Sequence, residues 1–251
     1  MLKKRVIPVL LLQNGRMVKG KQFKDFVDTG DPVSSAKVYS HQDADELIFL
    51  DITATIKKTP TNLEIIEKVS KECFMPLTIG GGIKNMQDIE NALKAGADKV
   101  CLNSAVLRKP SILKNASQKF GSQCIVVCVD VRLEGVRYEV YSHNGTINKY
   151  LDFAEYLKYL ESLGAGEIII NSIDRDGMMC GYDLELIRVA REATKLPLIA
   201  LGGAGNFEDL YEGFSAGADA VACSSLFHFG DNNPLRAKAY LKNKGIALKK
   251  I

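Results

Sequence analysis

The chain has 251 residues, room for one large α/β domain or two small ones. Apolar residues make up 46% and charged residues 25%, an ordinary globular balance, and a net charge of +3 is too mild to mark a nucleic-acid partner. No apolar run reaches the ~18 residues that a membrane span needs.

The opening stretch, MLKKRVIPVLLLQNG, joins a basic start to an apolar core. That core is short and lacks a small-residue cleavage site, so it reads as a first strand near 5–11 rather than a signal peptide. The segment 13–30 is long for a strand-to-helix connection. It carries Arg16, Lys19, Lys21 and Lys24 beside Gly15 and Gly20, the pattern of a basic lid over an anion. A helix near 33–42 opens at Asp31-Pro32, followed by a strand near 47–51, a helix near 61–71 and a strand near 77–80. Asn85 starts a helix near 86–95, a strand lies near 99–103, and Lys109-Pro110 starts a helix near 109–119. The strand near 124–130 leads into a β-hairpin excursion marked by Glu134-Gly135 and Asn144-Gly145. Helices near 152–163, 183–194, 206–216 (from Asn206) and 234–243 then alternate with strands near 167–171, 198–201 and 220–224. The strands are apolar on both faces, as in a parallel sheet covered by helices. Eight strand–helix pairs predict an α/β fold, a single (β/α)8 TIM barrel spanning 1–251. A doubly wound open sheet is the rival; the even count and the lack of Gly-x-Gly-x-x-Gly after the first strand weigh against it.

The chain also repeats itself. MPLTIGGGIKNMQDIENALKAGADKV at 75–100 recurs at 196–221 as LPLIALGGAGNFEDLYEGFSAGADAV, and DELIFLDIT at 45–53 recurs at 166–174 as GEIIINSID. Several units with one offset imply two fused half-barrels, about 1–122 and 123–251. In this alignment Leu11 falls where the other half has Asp130, at the carboxyl end of a strand, where barrel chemistry takes place.

Glycines follow the third and seventh strands, in IGGGI (79–83) and LGGAGN (201–206), and hydroxyls and amides follow the fourth and eighth, in LNSA (102–105) and CSSLF (223–227). Bare backbone N–H groups there suit phosphate, and the duplication predicts two cradles, hence a ligand with a phosphate at each end. Gly177 in DRDGMMCG joins this set. Asp130, ending an otherwise apolar strand, is the strongest acid–base candidate; Asp51, Asp174 and Asp176 lie at similar places and can equally hold loops. His143 and His228 have no context for a nucleophilic triad. At the opposite strand ends Arg5, Glu46, Lys99 and Glu167 can pair into a ring around the lower mouth. Cys101, Cys124, Cys128 and Cys223 sit in apolar runs, so buried packing in a reducing cytoplasm is expected rather than disulfides or a metal site at Cys124 and Cys128.

These segments, together with KRVIP, GRMVKG, DADELIFLDIT, FGSQCIVV, GYDLELIR and FHFG, resemble the cyclase subunit of imidazole glycerol phosphate synthase, the HisF family, over essentially the whole chain. The resemblance implies a barrel that forms a heterodimer with a HisH-like glutaminase. Ammonia would enter below, pass a gate of Arg5, Glu46, Lys99 and Glu167, and react above with a bisphosphate ligand in histidine biosynthesis, a lyase reaction without cofactor or metal. The implied ligand positions are Lys19, Asp51, Gly82, Asn103, Ser172, Asp176, Gly177, Gly203, Ser224 and Ser225, and Asp98 falls on the implied glutaminase interface. The family has a catalytic Asp where this chain has Leu11, while its partner Asp130 is retained. Such variants resemble HisF-like proteins that accompany sugar amidotransferases of surface-polysaccharide pathways. The first expectation is therefore an ammonia-conducting subunit serving a sugar amidotransferase, with weak cyclase activity. The alternatives are an authentic cyclase giving imidazole glycerol phosphate and AICAR, and a non-catalytic activator of the glutaminase. Neither a nucleic acid nor a membrane is an expected partner.

Overall fold

The computed structural model describes residues 3–57 and 59–249. Along the chain run β1 (Arg5–Gln13), β2 (Arg16–Lys21), β3 (Lys24–Gly30), β4 (Leu47–Asp51), β5 (Leu77–Gly80), β6 (Lys99–Leu102), β7 (Ile125–Glu134), β8 (Arg137–Ser142), β9 (Ile147–Asp152), β10 (Glu167–Ser172), β11 (Leu198–Leu201) and β12 (Ala220–Cys223). Among the described residues, β1, β4, β5, β6, β7, β10, β11 and β12 pair in parallel in that order, and β12 pairs with β1 to close the barrel. Helices stand between the strands, so the fold is the expected (β/α)8 TIM barrel. No helix among the described residues is long and apolar enough to cross a membrane.

The side-chain alternation of a strand divides each one between two cores. On β1, Val6, Leu10 and Leu12 pack outward against the helices, whereas Ile7, Val9 and Leu11 join the cluster inside the barrel. The helix starts read from sequence are caps: Asp31 accepts from the Ser34 N–H, and Asn85 and Asn206 form capping boxes with Asp88 and Asp209. Lys109-Pro110 opens its helix without a side-chain cap. Short helices at Ser104–Arg108 and Ser225–His228 follow β6 and β12, at equivalent places in the repeat.

One expectation needs correction. Residues 13–30, read as a lid loop, contain the ribbon β2–β3, antiparallel to β1, with Leu11 opposite Val18 and Leu12 opposite Met17. The turn is Asn14-Gly15, both at positive φ (52° and 81°), a hairpin link masked in the sequence by the surrounding charge. The second excursion, β8–β9, is the hairpin expected after the fifth barrel strand.

The pairing registers place the two halves on each other. Leu11 pairs with Leu50 across β1 and β4, and Asp130 pairs with Asn171 across β7 and β10. Leu50 and Asn171 are equivalent in the repeat, so Leu11 occupies the place in its half that Asp130 holds in the other.

Candidate active site

At the lower mouth the four charges form a closed ring. Arg5 donates to Glu46 Oε2 at 2.7 Å and to Glu167, and Lys99 Nζ donates to Glu46 Oε2 at 3.0 Å and to Glu167 Oε2 at 2.9 Å. Thr78 Oγ1 adds a bond of 2.6 Å to Glu46 Oε1. Burial alone would lower Lys99 and Arg5, but their carboxylate partners outweigh it and leave both raised. With both glutamates buried, removing one cation would strand charge in a low-dielectric mouth.

Above the ring the barrel interior is apolar, lined by side chains including Ile7, Val9, Ile48, Cys101, Val126, Cys128, Ile169 and Ile199, with the small Ala220 and Ala222 on β12. A neutral, ammonia-sized molecule meets no charge there, whereas an ion would lose its hydration without replacement. This axis leads to a cavity of about 710 Å3 at the carboxyl ends of the strands.

Asp130 stands on the cavity floor, 7% exposed. Asn103 Nδ2 donates to its Oδ2 at 2.7 Å and Asn171 Nδ2 to its Oδ1 at 3.1 Å, with the Cys128 thiol 3.8 Å from Oδ1. Burial pushes the Asp130 carboxyl up to about 6, against the amide hydrogen bonds of Asn171 and Asn103; the charge of Asp176 adds to the rise. A carboxyl near 6 can both take and return a proton around neutral pH. Leu11 faces the same cavity, beside Leu50 and Leu201. The floor is thus polar over β6, β7 and β10 and apolar over β11, β1 and β4. The other carboxylates of the cavity wall are engaged: Asp51 Oδ1 accepts from Thr53 N, Thr53 Oγ1 and Ala54 N, and Asp176 Oδ1 accepts from Lys19 Nζ at 2.7 Å. Asp174 ties down the end of β7 through Leu133 N and Arg132.

A smaller hollow lies beside the cavity, walled by Gly177, Gly202, Gly203, Ser224, Ser225, Lys19 and Asp176. The hydroxyls of Ser224 and Ser225 and the Oδ2 of Asp176 are buried without a partner among the described residues. Two idle donors in a glycine-walled hollow fit a phosphate oxygen. At Gly203, φ is 118° and a Cβ would meet Gly181 O at 2.2 Å, so only glycine leaves the hollow open. The equivalent place in the first half has Gly81 and Gly82 at positive φ, Ser104, and the cations Lys84 and Arg108 on the cavity wall.

The first hairpin roofs the site. Lys19 is 2% exposed, and Gln22 donates through its backbone N–H to Asp176 O at 2.7 Å and through Nε2 to Asp174 O at 2.8 Å. Phe23 and Phe26 of this roof line the cavity, and Phe23 sits against Gly145 of the second hairpin.

The structure therefore brings together Lys19, Asp51, Gly82, Asn103, Asp130, Asp176 and Ser224 around the cavity, and Gly177, Gly203 and Ser225 around the hollow that adjoins it. Asp51 anchors the turn there through Oδ1. The expectation for Ser172 is corrected: it does not line the cavity, and the inward position belongs to Asn171. Strand alternation from Glu167 in the ring through Ile169 reaches Asn171, a signal present in the sequence. Asp98 is exposed on the lower rim, where it accepts from Leu77 N at 2.8 Å.

Residues 5–233 match a family model described as "Histidine biosynthesis protein". Two relatives from Dehalococcoides mccartyi, strains BAV1 and CBDB1, are each 48% identical over 250 residues, covering 99% of this chain and 99% of theirs. Both are named imidazole glycerol phosphate synthase subunit HisF. These names favour the cyclase alternative over sugar amidation, which neither mentions.

Proposed function

As the chain belongs to the HisF family of imidazole glycerol phosphate synthase subunits, we propose that it is the ammonia-consuming cyclase subunit of such a synthase, with Asp130 as its one positioned acid–base group. The observation that carries this reading is a single axis joining the ion ring, the apolar interior and the Asp130 cavity. A HisH-like glutaminase docks on the lower rim, around Asp98 and the 87% exposed Phe74. The ring is the gate: when a Lys99 or Arg5 pair parts, ammonia enters, and the apolar interior passes it as the neutral molecule. The bisphosphate imidazole precursor lies across the floor, one phosphate at Gly203, Ser224 and Ser225, the other near Gly82. Ammonia attacks a carbonyl carbon of the precursor below the roof and that oxygen leaves as water, while Asp130 relays protons as the imidazole ring closes and the bond to AICAR breaks. Since closure needs proton transfer on both sides of the substrate, Leu11 makes it slow, by about 10²–10⁴-fold.

Leu11 also supports a second reading, in which the conduit and cradles serve a third protein that amidates a nucleotide-linked sugar and no ring closes here. One assay separates the two. Under the first, the complex with glutaminase converts the bisphosphate precursor to imidazole glycerol phosphate, slowly, and Asp130→Asn stops it. Under the second, glutamine is hydrolysed and ammonia retained with no imidazole product at any enzyme concentration, which refutes the cyclase reading.

A further inference from the structure

Asp130 has one neighbour, Asn171, that no sequence motif singles out. Its two oxygens are held by two different side-chain amides, one on each adjacent barrel strand: Asn103, just past β6, takes Oδ2, and Asn171, on β10, takes Oδ1. Both amide carbonyls, Asn103 Oδ1 and Asn171 Oδ1, are buried without a partner among the described residues. That arrangement has one orientation. Turning either amide over would set its carbonyl against the carboxylate, so each gives its N–H2 to Asp130 and leaves its oxygen idle. An unpaired buried carbonyl is a cost with no structural return of its own. The other half of the barrel shows that the fold does not need the amide: the equivalent of Asn171 is Leu50, beside Leu11.

We infer that Asn171 is a positioning residue for Asp130, fixing the carboxyl plane from the β10 side while Asn103 fixes it from the β6 side. It touches neither ring nor conduit, and it acts through the carboxyl it holds. The inference rests on the reading of Asp130 as the acid–base group, yet it is testable without substrate. The titratable and charged groups facing Asp130 are Cys128 on its own strand, Cys101 on β6, and Asp176 after β10, paired with Lys19 of β2; Asp51 and His143 stand further out on the wall, and Tyr141 of β8, opposite in register, is bound to Glu134. Of these only the Cys128 thiol donates to Oδ1, at 3.8 Å, and it does so already in the wild type, so it does not make up for the lost amide. A hydrogen bond to the ionised form favours that form, so removing the donor must raise the midpoint at which Asp130 takes up a proton.

The experiment is a carbon-13 NMR titration of the Asp130 carboxyl in the full chain, in wild type, Asn171→Leu and Asn171→Ser. Leucine already occupies the equivalent position in the first half, which favours folding of that variant, and serine is too short to span to Asp130, so it carries the same test. Both should move the midpoint upward from about 6 by about half a unit or more, a threefold or greater change in proton affinity. A folded variant whose midpoint stays at the wild-type value overturns the inference and leaves Asn171 a packing residue. Because no turnover is read, an inactive wild-type complex would count against the cyclase proposal and not against this one.

Discussion

Replacing Leu11 by Asp restores, in the first half, the group that the second half keeps. The register equivalence puts the new carboxylate in the cavity, facing the ligand from the opposite side of the floor to Asp130. Its surroundings differ from those of Asp130 in a definable way. Leu50 stands where Asp130 has Asn171, and Ser224, equivalent to Asn103, belongs to the phosphate cradle. The new group therefore lacks the two amide donors that hold Asp130. If Leu11 is what limits ring closure, Leu11→Asp raises ammonia-dependent turnover of the bisphosphate precursor by about 10²–10⁴-fold, or ~3–5 kcal/mol of barrier. The half-buried leucine lost from the inner cluster costs up to about 2 kcal/mol of stability, so thermal unfolding must confirm that the variant is folded. A folded Leu11→Asp protein with no gain in turnover would refute the reasoning, because the missing acid would then not be the limiting feature.

Burial of Asp130 also gives a stability prediction with a defined sign. Its carboxyl is raised from 3.8 to about 6, so the folded state binds the proton more tightly than the unfolded chain does. The ionised form thus costs stability: nothing below pH ~4, increasing through the window between the two values, and fully above about 6, where it reaches ~3 kcal/mol. Asp130→Asn should accordingly be more stable than wild type at pH 7.5 by up to that amount, with either idle amide carbonyl turning to accept the new N–H2, and no more stable at pH 4; urea unfolding at both values checks this. Lys99→Ala leaves Glu46 and Glu167 with Arg5 as their one remaining cation, so it should destabilise by about 3–5 kcal/mol and let glutaminase-derived ammonia escape to a coupled enzyme in solution. Inorganic phosphate should raise the melting temperature of the wild type; Gly203→Ala should cost about 1–3 kcal/mol through its positive φ and the close Gly181 carbonyl, and should reduce that rise to the part due to the cradle near Gly82.

The barrel was legible because its strands are apolar on both faces and because LGGAGN and IGGGI repeat at one offset. The ring was legible from four charged residues at strand starts. The first hairpin was not, since Met17, Val18, Lys19 and Gly20 are all buried without alternation among the charges of Arg16, Lys21 and Lys24, and only the turn at Asn14-Gly15 gives it away. The Lys19–Asp176 pair joins residues 157 positions apart, which no local pattern reports. Asn171 was passed over for Ser172, although counting in twos from Glu167 places the amide inward. The apolar half of the floor could be anticipated only at Leu11; that Leu50 and Leu201 extend it follows from the barrel's register.

The most direct measurement is the pH dependence of wild-type turnover in the glutaminase complex, expressed per free ammonia. With Asp130 as the one positioned acid–base group, the rate should rise through a single ionisation near about 6 and then level, and Asp130→Asn should remove the step. A bell-shaped profile with a second carboxylate limb, or a profile unmoved by Asp130→Asn, would contradict the account.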